Sequence, residues 1–120
     1  IQGFDISQYA IKNSKDEIKM YLNEFDARNL FPYKNNEFDL VISLGTLHNL
    51  KLSDLKQTVA EIERVGNNGY IMLESYRNNR ELFNLQCWAL TCETFFDTET
   101  WINFYESVGY KGDYEFIYFE

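Results

Sequence analysis

Four ionisable residues stand just past short apolar runs: Asp5 after Ile1-Gln2-Gly3-Phe4, Asp26 after Met20 to Phe25, His48 after Phe38 to Leu44, and Glu74 after Tyr70 to Leu73. A carboxylate in such a place can accept hydrogen bonds from both hydroxyls of a sugar diol, or it can cap a following helix. His48 is the only histidine. An unperturbed imidazole titrates near pH ~6.5, so His48 could take a proton from a substrate or simply bond a loop carbonyl. Gly45-Thr46 gives the strand ahead of it a small-residue exit. Asn49, Glu74 and Tyr76 are further candidates for contacts to a substrate, and each could equally be a surface loop residue.

These side chains matter only if strands deliver them to one edge. Ile1 to Phe4 reads as the end of a strand, and Asp5-Ile6-Ser7 as a turn with Ser7 as the cap of a helix from Gln8 to about Ser14. A weaker strand spans Lys19 to Phe25, and Asp26 to Asn36, broken by Pro32, reads as loop. Phe38 to Leu44 is expected to be a strand buried on both faces. Leu52, Leu55, Val59 and Ile62 then recur at steps of three and four, which predicts a helix started by Ser53 or Asp54 and stopped at a left-handed Gly66.

Tyr70 to Glu74 reads as a second buried strand, and Arg80 to Thr94 as a helix with a broad apolar surface. A further helix capped by Asp97 or Thr98 carries Trp101, Phe104, Tyr105 and Val108 and stops at Gly109, before a last strand at Tyr114 to Phe119. Strands alternating with helices predict an α/β protein with a mostly parallel sheet, and such sheets keep ligands beyond the carboxyl ends of their strands. Trp88, with Phe83, Phe95 and Phe96 nearby, could roof an acceptor pocket or pack its helix on the sheet.

At 120 residues the chain, 1–120, fits a single domain, and 45% apolar residues with ten Phe and nine Tyr exclude a disordered chain. Eleven basic against nineteen acidic residues give a net charge of -8, which argues against nucleic acid or an anionic membrane as partner. Cys87 and Cys92 are spaced neither as a redox pair nor as zinc ligands, so no metal site is expected and two reduced thiols are. With no membrane span or signal segment in the sequence, a soluble cytoplasmic protein is expected.

Gly3-Phe4-Asp5-Ile6-Ser7, Asp26-Ala27 ahead of Leu30-Phe31-Pro32-Tyr33, Asn36 to Ser43, and Asn68-Gly69-Tyr70-Ile71-Met72-Leu73 together resemble a class I S-adenosylmethionine-dependent methyltransferase. The resemblance implies a partial Rossmann-like fold with flanking helices and an antiparallel C-terminal strand. It lacks the family's first strand and glycine-rich turn, so the sequence is expected to be part of a longer domain, with a slot between the strands at Ile1 and Phe38. A second copy of the chain, as a homodimer, could supply the missing neighbour.

By the same resemblance Asp5 binds a ribose and Ile6 packs on adenine. Asp26 takes the adenine amino group, Ala27 meets the ring, and Leu44 and Gly45 lie beside the methionine portion of S-adenosylmethionine. From its place past the strand end, His48 is the expected catalytic base toward a small-molecule acceptor, sugar-containing metabolites among the candidates, with Asn49, Glu74, Tyr76 and Trp88 as substrate contacts. The alternative expectation is a noncatalytic methyltransferase-like module or partner subunit.

Overall fold

The apolar segment Gly69–Glu74 forms the central strand of the larger sheet, and the computed structural model, which describes residues 1–120, shows why. Ile71 and Leu73 are fully covered, and both edges of this strand are paired. We number the strands β1 (Gly3–Asp5), β2 (Leu22–Glu24), β3 (Val41–Leu44), β4 (Gly69–Glu74) and β5 (Asp113–Ile117). The helices are α1 (Gln8–Lys12), α2 (Asp16–Lys19), α3 (Leu52–Val65), α4 (Asn79–Trp88) and α5 (Thr98–Val108), with a short 3-10 turn at Leu47–Asn49.

Strand β4 pairs in parallel with β3, from Val41 opposite Gly69 to Leu44 opposite Met72, and in parallel with β5, from Tyr70 opposite Asp113 to Glu74 opposite Ile117. The C-terminal strand is therefore parallel rather than antiparallel, which corrects the sequence expectation. Its direction follows from the connection: α4 and α5 carry the chain back along the sheet, and Gly109 in the left-handed conformation (φ 77°) ends α5 so that β5 enters from the same end as β4. The mixed architecture of parallel sheets with flanking helices otherwise agrees with the expectation.

Strands β1 and β2 form a separate parallel pair, and no ladder joins β1 to β3. Between those two facing edges lies an apolar cavity of about 390 Å³, walled by Phe4 and Gly3 on one side, Ile42 and Leu44 on the other, and Phe31 and Ile62 at its base. The expected slot is present. It also corrects the reading of β3 as a strand buried on both faces, since Ile42 is 57% and Leu44 55% exposed. The radius of gyration, 14.8 Å, exceeds the roughly 13.6 Å of a close-packed domain this long, as the division between sheets requires.

Helix α3 joins the two halves. Leu55, Val59, Ile62 and Val65 form its buried stripe, whereas Leu52, expected on that face, stands exposed at its first position. The helix begins at Leu52, with Lys51 ahead of it and no side-chain cap; Asp54 lies in the first turn, where its charge favours the helix dipole. Gly66 ends α3 in extended conformation (φ -104°), not left-handed. It pairs with Phe38 as in a strand, and a Cβ there would meet Val41 Cγ2 at 2.8 Å, so close approach rather than helix capping selects glycine.

Two other segments depart from expectation. Asp16–Lys19 is helical, taking the start of the expected second strand, and α4 ends at Trp88 instead of Thr94. Helix α4 buries Leu85 and Glu81 while Phe83 and Trp88 remain exposed, so its apolar surface is narrower than its composition indicates. Ser7 and Asp97 cap α1 and α5 as expected, accepting from the amides of Ala10 and Thr100.

The core centres on Trp101 and Tyr105 of α5 against Ile71, Leu73, Leu55 and Val59. Replacing Leu73, fully buried near the carboxyl end of β4, by Ala is expected to lower stability by about 2–5 kcal/mol in urea unfolding. A loss below about 1 kcal/mol would show that β4 does not carry the core.

Candidate functional site

The carboxyl ends of β1, β2 and β3 meet around a cavity of about 580 Å³, and Asp5, Ile6, Asp26, Ala27, Leu44 and Gly45 all line it. These six positions span forty residues of sequence, so the parallel arrangement of the strands brings them together. The far wall comes from Asn49, Leu50, Lys51 and Asp54 at the start of α3, and from Glu93 in the loop after α4. Sequence reasoning missed Lys51, Asp54 and Glu93. Glu93 fell inside a stretch that reads as helix, and the other two look like ordinary first-turn residues.

Asp5 ends β1 with one carboxylate oxygen, Oδ1, accepting from the Ser7 amide at 2.7 Å. That bond fixes the turn into α1 and engages only one of the two carboxylate oxygens. Ile6 beside it is 62% exposed, an apolar surface held at the rim. Asp26 is occupied differently from expectation. Arg28 binds both of its oxygens, through Nε at 2.9–3.0 Å and Nη2 at 2.5 Å, and holds the Asp26 carboxyl below its ordinary pKa.

Helix α3 sets the loop that carries Asp26 and Ala27. Thr58 Oγ1 donates to the Ala27 carbonyl at 2.9 Å and Gln57 Nε2 to the Arg28 carbonyl at 2.6 Å. One turn on, buried Glu61 accepts from the Phe31 amide at 2.7 Å. Arg64 pairs with Glu61 at 2.7 Å and donates to the carbonyls of Phe31 and Tyr33. Phe4, Phe25 and Phe31 pack edge to face at 5.1–6.2 Å, fastening the small sheet to the same loop.

Gly45 ends β3 with φ 59°, where L side chains are strained, and its amide donates to Met72 O at 2.8 Å. A Cβ there would lie 3.5 Å from Glu74 Oε1, so the carboxylate sits directly beneath the turn. Glu74 does not face the cavity. It is buried with His48, whose Nδ1 lies 2.7 Å from Glu74 Oε2. Burial pushes the His48 pKa down, and the Glu74 charge partly opposes that.

His48 stands behind the cavity floor, not on its surface: Thr46 and Asn49 are the neighbours that line the wall. The His48 carbonyl accepts from the amides of Glu93 and Thr94, and Thr91 Oγ1 donates to Asn49 Oδ1 at 2.8 Å, which ties the loop after α4 to this turn. Tyr76 bridges to Asp97, and Trp88 packs on Phe119 with ring centres 4.8 Å apart; neither lines the cavity. Phe96 packs edge to face on Trp101 against the core instead of roofing a pocket. Both thiols are free, with Cys87 exposed and Cys92 half-buried, and no group of side chains has the makings of a metal site.

The Glu61–Arg64 pair gives this region a pH signature. Arg64 and the Phe31 amide hold Glu61 below its ordinary pKa, so the stabilisation is present at neutral pH and is lost as pH falls through that lowered value. Glu61→Gln should cost about 1–3 kcal/mol in urea unfolding at pH 7. The difference from the natural chain should shrink in acid; an equal difference at every pH would exclude the carboxylate as the cause.

A profile of the family described as "Methyltransferase domain" matches residues 1–73, well over half of the chain. That stretch runs from β1 to Leu73 of β4 and contains Asp5, Ile6, Asp26, Ala27, Leu44, Gly45, His48 and Asn49, while Glu74, Tyr76 and Trp88 lie beyond it. Neither the curated proteins nor the solved structures include a match.

Proposed function

Since this chain belongs to the methyltransferase domain family, we propose that it serves an S-adenosylmethionine-dependent methyltransferase acting on a small-molecule acceptor, sugar-containing metabolites included. The observation that carries the reading is the gathering of Asp5, Ile6, Asp26, Ala27, Leu44 and Gly45 around one 580 Å³ cavity at the strand ends. Charge supports it as well. Asp5, Asp26, Asp54 and Glu93 outnumber Arg28 and Lys51 on the walls, which favours a ligand with net positive charge, as a sulfonium carrying an amino acid is.

The residues present fit such a group. The unbonded oxygen of Asp5 can accept from a ribose diol, Ile6 offers an apolar face to a purine, and Gly45 keeps the floor free of a side chain. S-adenosylmethionine, when bound, supplies a methyl group already activated on sulfur. The protein is left to orient the acceptor and to remove its proton. Asn49 lines the wall beyond the end of β3 and is the contact we assign to the acceptor.

A second reading, a noncatalytic module or partner subunit, draws on one observation: Arg28 already engages both oxygens of Asp26, the acid a purine amino group would need. Calorimetry with S-adenosylhomocysteine on the full chain separates the two. The enzyme reading expects saturable binding that Asp5→Ala weakens by roughly 10- to 100-fold, the range for a hydrogen bond to a charged group. Absence of binding by the natural chain would favour the noncatalytic module.

A further inference from the structure

Arg28 is clamped at its backbone and free at its side chain. Its amide donates to Asp26 Oδ1 at 3.0 Å and its carbonyl accepts from Gln57 Nε2 at 2.6 Å, while Thr58 Oγ1 holds the carbonyl of Ala27 just before it. Beyond this clamp the guanidinium reaches back to cover both oxygens of Asp26, and the Arg28 side chain is 52% exposed. Asp54 lies on the same face of α3 as Gln57 and Thr58, a spacing that puts side chains about 5–6 Å apart. It lines the cavity together with Arg28, and its carboxylate enters no ion pair. The Arg28 cation is favoured first by Asp26 and also by the charge of Asp54.

We propose that Arg28 is a displaceable arm at the purine end of the cavity: in the free chain it covers the Asp26 carboxylate, and it moves to Asp54 when the amino group of a purine takes its place. The proposal rests on the reading of the cavity as a site for S-adenosylmethionine. The exchange conserves interactions. Before it, Arg28 pairs with Asp26 and Asp54 is unpaired; after it, the guanidinium pairs with Asp54 and Asp26 accepts the purine N–H. Asp26 keeps the Arg28 amide throughout, so its carboxylate holds its orientation while the guanidinium leaves. With Asp26 itself 23% exposed, the pair is partly solvated, and breaking it costs little. The covered state of Asp26 is then the closed form of a binding site.

The other charged groups on the walls leave this exchange to Arg28. Lys51 precedes α3 and enters no ion pair, although its carbonyl accepts from the Asp54 amide at 2.9 Å. Asp5 is engaged by the Ser7 amide at the end of β1, and Glu93 is held by its own amide on the His48 carbonyl. Only Arg28 is tied by its backbone to α3 while its side chain is bound elsewhere.

Calorimetry on the full chain with S-adenosylhomocysteine, and with its analogue bearing hydrogen in place of the purine amino group, tests the arm. Arg28→Ala should tighten the amino compound by roughly two- to fivefold, the range of an exposed ion pair, and leave the analogue unchanged. Equal or weaker binding of the amino compound, or the same gain for both, would overturn the proposal. Asp54→Asn should weaken binding in the natural chain and have no effect beside Arg28→Ala; an effect that persists there would make Asp54 a direct contact and overturn its role as the second place. Guanidinium ¹⁵N NMR reads the arm without a ligand, since pairing through two nitrogens slows rotation of the group. Arg28 should stay restrained in Asp26→Asn and become free when Asp54→Asn is added, whereas freedom in Asp26→Asn alone would overturn the arm. Binding of S-adenosylhomocysteine by neither the natural chain nor Arg28→Ala would overturn the donor-site reading and the ligand named here, and the guanidinium result would still decide the two positions.

Discussion

Glu61 and Arg64, one turn apart on α3, satisfy the backbone of a loop that would otherwise bury unpaired amides and carbonyls. An unsatisfied buried polar group costs about 1–3 kcal/mol, so the segment from Ala27 to Tyr33 can follow this path only where α3 supplies partners. The same helix bonds Ala27 and Arg28 through Thr58 and Gln57, and its opposite end contributes Lys51 and Asp54 to the cavity wall. Phe31 then locks the loop to Phe4 and Phe25 of the small sheet. With no strand pairing between β1 and β3, α3 and this loop are what keep Asp5 and Asp26 in register with Gly45.

How much was legible in the sequence follows from which interactions are local. The apolar stripe of α3, the caps at Ser7 and Asp97 and the left-handed Gly109 each depend on neighbours a few residues away, and all are present. Gly66 has the composition of a helix stop, but its conformation is decided by Val41 and Phe38 far upstream, and it is extended. The direction of β5 was likewise hidden, because it depends on where α4 and α5 return the chain rather than on the alternation within Tyr114 to Phe119. Trp88 and Phe83 have helical spacing, yet a short α4 with only Leu85 and Glu81 turned inward leaves them exposed.

The site shows the same division. Strand ends are readable from apolar runs and small-residue exits, which marked Asp5, Asp26 and Gly45; the family resemblance added Ile6, Ala27 and Leu44, and all six share a cavity. What a side chain does once there depends on partners from elsewhere. Arg28 stands two residues after Asp26, so its grip on the carboxylate had a local signal in that spacing. Glu74 had none: only the folding of β4 beneath the Gly45 turn sets it against His48, twenty-six positions earlier, instead of toward a substrate.

The open edges of β1 and β3 also bear on how this polypeptide behaves among its own kind. Both leave one edge without a strand partner, β3 with Ile42 and Leu44 exposed, and neither strand contains a lysine or proline to discourage pairing. Such a surface favours pairing with any extended backbone that reaches it. The net charge of -8 acts at long range and is screened by salt, so colloidal stability in this chain falls as ionic strength rises, even where the fold itself is unaffected.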